Sequence, residues 1–216
     1  MTSLVDGGIA RTQITGLVLA GGRSRRWGGV DKAWQPFGGR PLIHSVCERL
    51  EMQSAAVWIS ANRDPDRYGT LGRRVLVDDW PDGRGPLAGI ATALRRVETP
   101  WLLVAPVDSP GVPLDLALHL GAAACRANRL LATAVADGRL QPAFLLIHRD
   151  LAVAVVAAVD GEVRRLSAWV QAQGPALLDA RAIGWTQALR GANDATELAA
   201  LSAATGHGAE NVDGRA

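Results

Sequence analysis

Apolar positions in this chain alternate between short continuous runs and stretches of helical spacing. Residues 14–20, 56–61, 74–77 and 101–107 have the length of strands. The last is apolar throughout, as expected of a strand covered on both faces. Between them, Leu42, Ile43, Val46 and Leu50 recur at helical spacing behind Pro41, a residue tolerated at a first helical position because its missing N–H costs little there. Residues 33–39 read as a connector with a tight turn at Gly38-Gly39, and Asp64-Pro65-Asp66-Arg67 as a turn. Pro86 opens a helix to about Val97, and Pro113 another to about Arg126. Residues 130–136 and 143–148 read as strands joined by the turn dipeptide Asp137-Gly138. Residues 151–159 and 163–171 read as helices, 176–183 as a late strand, and 195–204 as the last helix.

Strands alternating with helical patterns predict βαβ units, hence an α/β fold: a three-layer αβα arrangement around a mostly parallel sheet. One domain over residues 14–205 is expected, with tails at 1–13 and 206–216. Ligands on such sheets bind beyond the carboxyl ends of the strands. That rule gathers separate pieces of sequence: a glycine turn after the first strand, Ser60-Ala61-Asn62 after the second, Asp78-Asp79 after the third and Asp108 after the fourth.

Composition narrows the ligand. The 23 Lys and Arg residues against 21 Asp and Glu leave a net charge of +2, too balanced for a general nucleic-acid surface. No stretch approaches the roughly 18 apolar residues of a membrane span, and the first residues lack the apolar core of a signal peptide. A cytoplasmic protein is expected. Cys47 and Cys125 have no C-x-x-C spacing, lie in apolar helical patterns, and read as buried free thiols. His44 reads as a partly exposed helix residue.

The basic residues cluster. After residue 20 the first apolar run breaks into Gly21-Gly22, then Arg23, Arg25 and Arg26, then Gly28-Gly29 and Asp31-Lys32. Glycines permit positive φ and close backbone approach. Successive backbone N–H groups in such a turn make an anion-binding concavity, which the cations strengthen. Lys32 is the only lysine in the chain. The segment is neither G-x-x-x-x-G-K-[ST] nor G-x-G-x-x-G, so those two phosphate loops are excluded.

The segment from Leu19 to Lys32, L-A-G-G-R-S-R-R-W-G-G-V-D-K, resembles the nucleotide-binding signature of molybdenum cofactor guanylyltransferases, with Trp27 where that family usually has Met. Gly85-Pro86-Leu87-Ala88-Gly89 is a second family signature. The resemblance spans about residues 14–201 and is strongest through Asp108. It implies a fold like that of the nucleotide-diphospho-sugar transferases, and transfer of GMP from GTP to the molybdenum-bound pterin with release of pyrophosphate. It places Leu19, Ala20, Gly21, Gly22, Lys32, Ser60, Asn62, Asp79 and Asp108 at the nucleotide. Ser60 stands where the family has an Asn, and Asp79 fits its spacing to Gly85 better than Asp78 does.

Asp108, followed by Ser109-Pro110, matches the context of the family's metal aspartate, and Mg²⁺ bound by one carboxylate plus substrate phosphates suits it. The same residue could instead cap a helix ahead of Pro110 or Pro113. Lys32 and Arg26 are the expected phosphate cations, since nucleotidyl transfer gathers negative charge around the α-phosphorus and the leaving pyrophosphate. Gln141, Pro142, Arg164, Arg165 and Asn193 fall where the family contacts its pterin. Arg164 and Arg165 could pair with a phosphate or form a solvated helix face. The partners implied are GTP, the molybdenum cofactor and, transiently, molybdoenzymes or their chaperones. Rival readings are a cytidylyltransferase on the same pterin, a sugar-phosphate nucleotidyltransferase, and a GTP-binding cofactor chaperone without turnover.

Overall fold

The computed structural model describes residues 8–21, 30–80, 83–192 and 194–204. Its main sheet contains β1 (Ile14–Leu19), β4 (Ala56–Ser60), β5 (Arg74–Leu76), β6 (Trp101–Pro106), β7 (Leu131–Ala136), β8 (Arg139–His148) and β9 (Ala176–Asp179). Their spatial order is β5-β4-β1-β6-β8-β7-β9. Every neighbouring pair is parallel except the two made by β8. The hairpin that reverses β8 turns at Asp137 and Gly138, both with positive φ, 50° and 70°. A small separate ribbon, β2 (Pro36–Phe37) with β3 (Arg40–Pro41), turns at Gly38-Gly39 with φ of 58° and 77°. Paired positive φ suits a hairpin and is cheap for glycine.

The alternation along β1 explains the layers. Ile14 and Val18 enter one core with α1 (Leu42–Glu51) and α4 (Leu116–Ala127), while Leu17 and Leu19 enter a second core with α3 (Pro86–Leu94), α5 (Ala152–Asp160) and α6 (Leu166–Ala172). All six residues of β1 are buried, so this strand is the centre of both layers. Gly16 lets α1 close on it, because a Cβ there would stand 3.0 Å from Ser54 Oγ and 3.2 Å from the Leu50 Cβ.

Several boundaries differ from the sequence expectation. Pro41 pairs in the ribbon, so α1 begins one residue later. The segment from Asp64 is a short helix, α2 (Pro65–Gly69), entered through a left-handed Asp64 with φ of 48°. The helix expected from Pro113 begins at Leu116, and the last strand ends at Asp179. Residues 8–13, expected within a tail, lie against the domain: Ile9 packs on the first core, and Arg11 Nε donates to the Ser54 carbonyl at 2.9 Å. The tail expected at 206–216 lies outside the described residues. Cys47 is buried and Cys125 only half-buried, and both are free. The last helix, α7 (Ala195–Ala204), has the expected bounds. Among the described residues no helix is long and apolar enough to cross a membrane.

Candidate active site

The sheet order places β1 between β4 and β6, with the chain leaving β1 toward β4 and returning on its other side as β6. A crevice therefore opens beyond the C-terminal end of β1. Backbone bonds carry the strands into it in register. The Ser60 carbonyl accepts from Ala20 N–H at 2.9 Å and Gly21 N–H at 3.1 Å, Ala61 N–H donates to the Leu76 carbonyl at 2.9 Å, and Val107 N–H donates to the Leu19 carbonyl at 3.1 Å. Those bonds set Gly21, Asn62, Asp78 and Asp108 along one sheet edge.

Two cavities lie there. One, of about 460 Å³, is lined by Leu19, Ala20, Gly21, Asp31, Ser60, Asn62, Tyr68, Asp78, Gly85 and Pro86 among others. The other, of about 840 Å³, is lined by Arg139, Gln141, Thr186, Arg190, Gly191 and Glu197 among others. Next to both, though in the lining of neither, the Lys32 ammonium meets the Asp108 carboxylate, each side chain 22% exposed. Lys32 follows Asp31, which lines the first cavity. Gly191 lines the second and abuts the aspartate, since a Cβ on it would stand 3.1 Å from Asp108 Oδ1. The backbone of the next residue, Ala192, donates to the Asp108 carbonyl at 2.8 Å. Asp108 is not a helix cap: α4 has Asp115 at its N-cap.

Leu19, Ala20, Gly21, Ser60 and Asn62 all line the first cavity. Asn62 is committed to Asp78 by a reciprocal pair of bonds: its Nδ2 donates to Asp78 Oδ2 at 2.6 Å, and Asp78 N–H donates to its Oδ1 at 2.8 Å. Ser60, where an Asn was expected, is buried beneath α3, and a Cβ on Gly89 would stand 2.3 Å from its hydroxyl.

Of the two adjacent carboxylates after β5, Asp78 lines this cavity and Asp79 does not. Asp79 N–H donates to Thr92 Oγ1 at 3.1 Å, and its side chain accepts from Arg96 at 2.6 and 2.9 Å and from Arg95 at 2.9 Å. Those guanidinium groups turn it away and hold its carboxyl below the usual range. Asp78 Oδ1 is buried with no hydrogen-bond partner among the described residues. Burial pushes its carboxyl up, the Asp79 charge adds to that, and Asn62 and the nearby Ser60 hydroxyl act the other way.

Of the residues expected at the second substrate, the four that are described do not converge. Gln141 lines the larger cavity. Pro142 follows it on β8 but is not in the lining of either cavity. Arg164 and Arg165 are exposed at the start of α6, and the Arg164 carbonyl is 3.2 Å from where a Cβ on Gly85 would lie, beside the smaller cavity. Arg139 and Arg190, which sequence reasoning passed over, line the larger cavity instead. Gly22, Arg26 and Asn193 lie outside the described residues. Among the described residues no group of three or more His, Cys, Asp or Glu is placed to hold a metal, so protein side chains alone form no cage. A single aspartate sharing a cation with substrate phosphates remains compatible with that arrangement.

A family model, the MobA-like NTP transferase domain, matches residues 16–177. The chain is 43% identical over 170 residues to a molybdenum cofactor guanylyltransferase of Ralstonia nicotianae, covering 74% of this chain and 83% of that one. It is 44% identical over 168 residues to one of an Acidovorax species, covering 73% and 80%. Among solved structures, molybdopterin-guanine dinucleotide biosynthesis protein A from Archaeoglobus fulgidus has the same fold, with a TM-score of 0.73 at 20% identity over 89% of this chain and 98% of that one. So does 2-C-methyl-D-erythritol 4-phosphate cytidylyltransferase from Thermus thermophilus, with a TM-score of 0.65 at 19% identity over 88% and 97%. With its domain matched over most of its length and its nucleotide signatures gathered on one sheet edge, this chain belongs to the molybdenum cofactor guanylyltransferases, a family of nucleotidyltransferases.

Proposed function

We propose that the protein transfers GMP from GTP to the terminal phosphate of molybdenum-bound molybdopterin, giving the guanine dinucleotide cofactor and pyrophosphate. The observation that carries this reading is the Lys32–Asp108 pair set between two cavities. GTP occupies the smaller one, with its base toward Asp78 and its α-phosphate at the pair. The pterin occupies the larger one. Its phosphate oxygen bonds to the α-phosphorus as the bond to the oxygen bridging the α- and β-phosphates breaks, and pyrophosphate takes that electron pair. A phosphate monoester is already ionised near neutral pH, so no general base is needed.

Lys32 neutralises the charge that develops on the phosphates, and the Arg26 guanidinium and the Gly22 backbone N–H belong to the same reading; the Gly21 N–H is committed to the Ser60 carbonyl. Fixed charges of this kind act most strongly where water is excluded. Asp78 Oδ1, a buried acceptor with no hydrogen-bond partner among the described residues, suits the adjacent N1–H and N2–H₂ donors of guanine. Arg139 and Arg190 at the larger cavity suit the phosphate end of the pterin, since guanidinium groups bind phosphate well. Asp108 is the residue that would hold Mg²⁺; the ion, when bound, supplies charge neutralisation at the triphosphate.

Thermal-shift titration with GTP, CTP, ATP and UTP, each with and without Mg²⁺, tests the nucleotide assignment. A ligand that binds only the folded state stabilises it by about 2.7 kcal/mol at a hundred times its Kd. A shift selective for GTP and enlarged by Mg²⁺ is expected, and a preference for CTP would overturn the guanine assignment. Pyrophosphate release on adding the pterin separates an enzyme from a GTP-binding chaperone.

A further inference from the structure

Tyr68 has no part in the transfer described above, yet it belongs to the lining of the nucleotide cavity and its hydroxyl bonds a second lining residue. Tyr68 is the only tyrosine in the chain and is fully buried on α2, in the connection between β4 and β5. Its phenol donates to Asp31 Oδ2 at 2.6 Å. The other oxygen of that carboxylate, Oδ1, accepts from Ala33 N–H at 3.1 Å, which makes Asp31 the cap of the three-residue turn Lys32–Trp34. Both carboxylate oxygens are therefore engaged, and the residue immediately after Asp31 is the lysine that meets Asp108.

The rest of the setting holds the phenol still. The rings of Trp34 and Tyr68 lie 5.4 Å apart at 57°, and the Arg67 guanidinium lies 4.2 Å from the Trp34 ring. Burial and the Asp31 carboxylate both push the Tyr68 ionisation upward, so the hydroxyl remains a donor throughout the working range of pH. A turn of three residues has little strength of its own, because its i→i+3 bonds are few and poorly aligned. Lysine adds a long flexible stem, and small displacements of a catalytic group carry large costs in rate. If packing were the whole role of this residue, phenylalanine would serve as well.

We propose that Tyr68 is a positioning residue. Its hydroxyl anchors Asp31, Asp31 fixes the backbone of Lys32, and the ammonium is thereby presented between the two cavities. The inference rests on Lys32 acting in the transfer, and its test keeps the two apart. Steady-state GMP transfer is measured for K32A, Y68F, D31N and the Y68F/D31N double variant, together with thermal midpoints. K32A addresses Lys32 itself: if it turns over like the wild type, the role of Lys32 falls and the positioning role with it. With K32A impaired, Y68F is expected to lower kcat about tenfold, with KM for GTP within twofold of wild type and an unchanged midpoint. D31N is expected to behave similarly, and the double variant to be no slower than the slower single one. Wild-type kcat in Y68F would overturn the positioning role while leaving that of Lys32 standing. So would a loss in Y68F that tracks a fallen midpoint, or losses that multiply in the double variant.

Discussion

Lys32 and Asp108, 76 positions apart in the chain, form an ion pair where the C-terminal end of β6 meets the ground between the two cavities. Each side chain is only 22% exposed, and the cost of desolvating two such charges offsets much of their attraction, so the pair adds little net stability. Its value lies in what the charges do when a triphosphate arrives. K32A is accordingly expected to keep its thermal midpoint within a few degrees and to lose roughly 10²–10³ in kcat, the range found on removing one fixed group that stabilises transition-state charge. Pyrophosphate release at saturating GTP, alongside a melt of the same preparation, checks both halves. Turnover near that of wild type in a folded K32A would remove the lysine from the mechanism.

Adjacent carboxylates at the end of β5 are expected to differ in function. Asp79 is drawn outward by Arg95 and Arg96, whereas Asp78 lines the nucleotide cavity and has a buried oxygen without a hydrogen-bond partner among the described residues. Losing a hydrogen bond to a charged acceptor costs about 2 kcal/mol, which is roughly thirtyfold in affinity. D78N should weaken GTP binding by that order, while D79N stays within twofold of wild type. Calorimetric titration of GTP into the two variants decides between them, and the reverse ranking would return the base contact to Asp79.

This contrast marks where the sequence stopped being legible. The strand ends were readable because apolar runs stop abruptly at Asn62, Asp78 and Asp108, and the parallel sheet puts such ends on one edge. Which of two neighbouring aspartates faces the ligand was not readable, since the answer depends on arginines just past the end of α3, 16 and 17 residues later. Arg164 and Arg165 were grouped with Gln141 by the resemblance alone, but the start of α6 lies beside Gly85, away from the lining of the larger cavity. Arg139 and Arg190 carried no local motif, and only the folding of the β7–β8 hairpin and the segment before α7 brings them to one cavity. Tyr68 likewise carried no local motif, because its bond to Asp31 crosses 37 residues.

Asp78 also predicts a pH dependence with a definite sign. Its carboxyl is raised in the folded state by burial and by Asp79. Between the ordinary carboxylate pKa and that raised value the native state binds more protons than the unfolded one, so this residue subtracts stability as pH rises through the window. D78N removes the contribution. Its midpoint should gain on that of wild type progressively as pH rises from about 4, the ordinary range of Asp, and then run parallel once Asp78 is fully ionised. Asp79 and Glu48 have lowered carboxyls and lose stability as pH falls; both are present in the two proteins, so the difference between the melts isolates Asp78. A constant difference across the series would contradict its burial as a charged group.

The close approach of α3 to β4 gives a steric prediction. A Cβ on Gly89 would lie 2.3 Å from Ser60 Oγ, 3.2 Å from Ser60 Cβ and 3.4 Å from Asp78 Oδ1. Ser60 is buried and lines the nucleotide cavity, so its hydroxyl must turn to clear the new methyl. Overpacking of this kind costs about 1–3 kcal/mol, so G89A should melt several degrees below wild type and bind GTP more weakly as Ser60 is pushed toward Asp78. In S60A/G89A the colliding oxygen is gone, leaving the 3.2 Å contact with the residue 60 Cβ and an ordinary 3.4 Å contact with Asp78. The double variant should recover most of the lost midpoint. Failure to recover would mean that the glycine is needed for the helix backbone and not for the space above Ser60.

The larger cavity yields the prediction that separates the two substrates. Arg139 lies just past the turn of the β7–β8 hairpin, and Arg190 lies just ahead of Gly191, which abuts Asp108. Both are exposed, and both line the cavity that also holds Gln141. If the pterin phosphate enters between them, replacing either with alanine removes a charge-assisted bond worth about 1.5–3 kcal/mol, and the loss should appear in KM for the pterin. GTP binds on the far side of the Lys32–Asp108 pair, so its thermal shift should be untouched. R139A and R190A are therefore expected to raise KM for the pterin by about tenfold or more at constant GTP affinity, a combination that general destabilisation would not produce. R164A and R165A serve as the counter-test, since those side chains start from the ground beside Gly85. A pterin KM raised by these two and unchanged in R139A and R190A would move the acceptor site across to the face of α6.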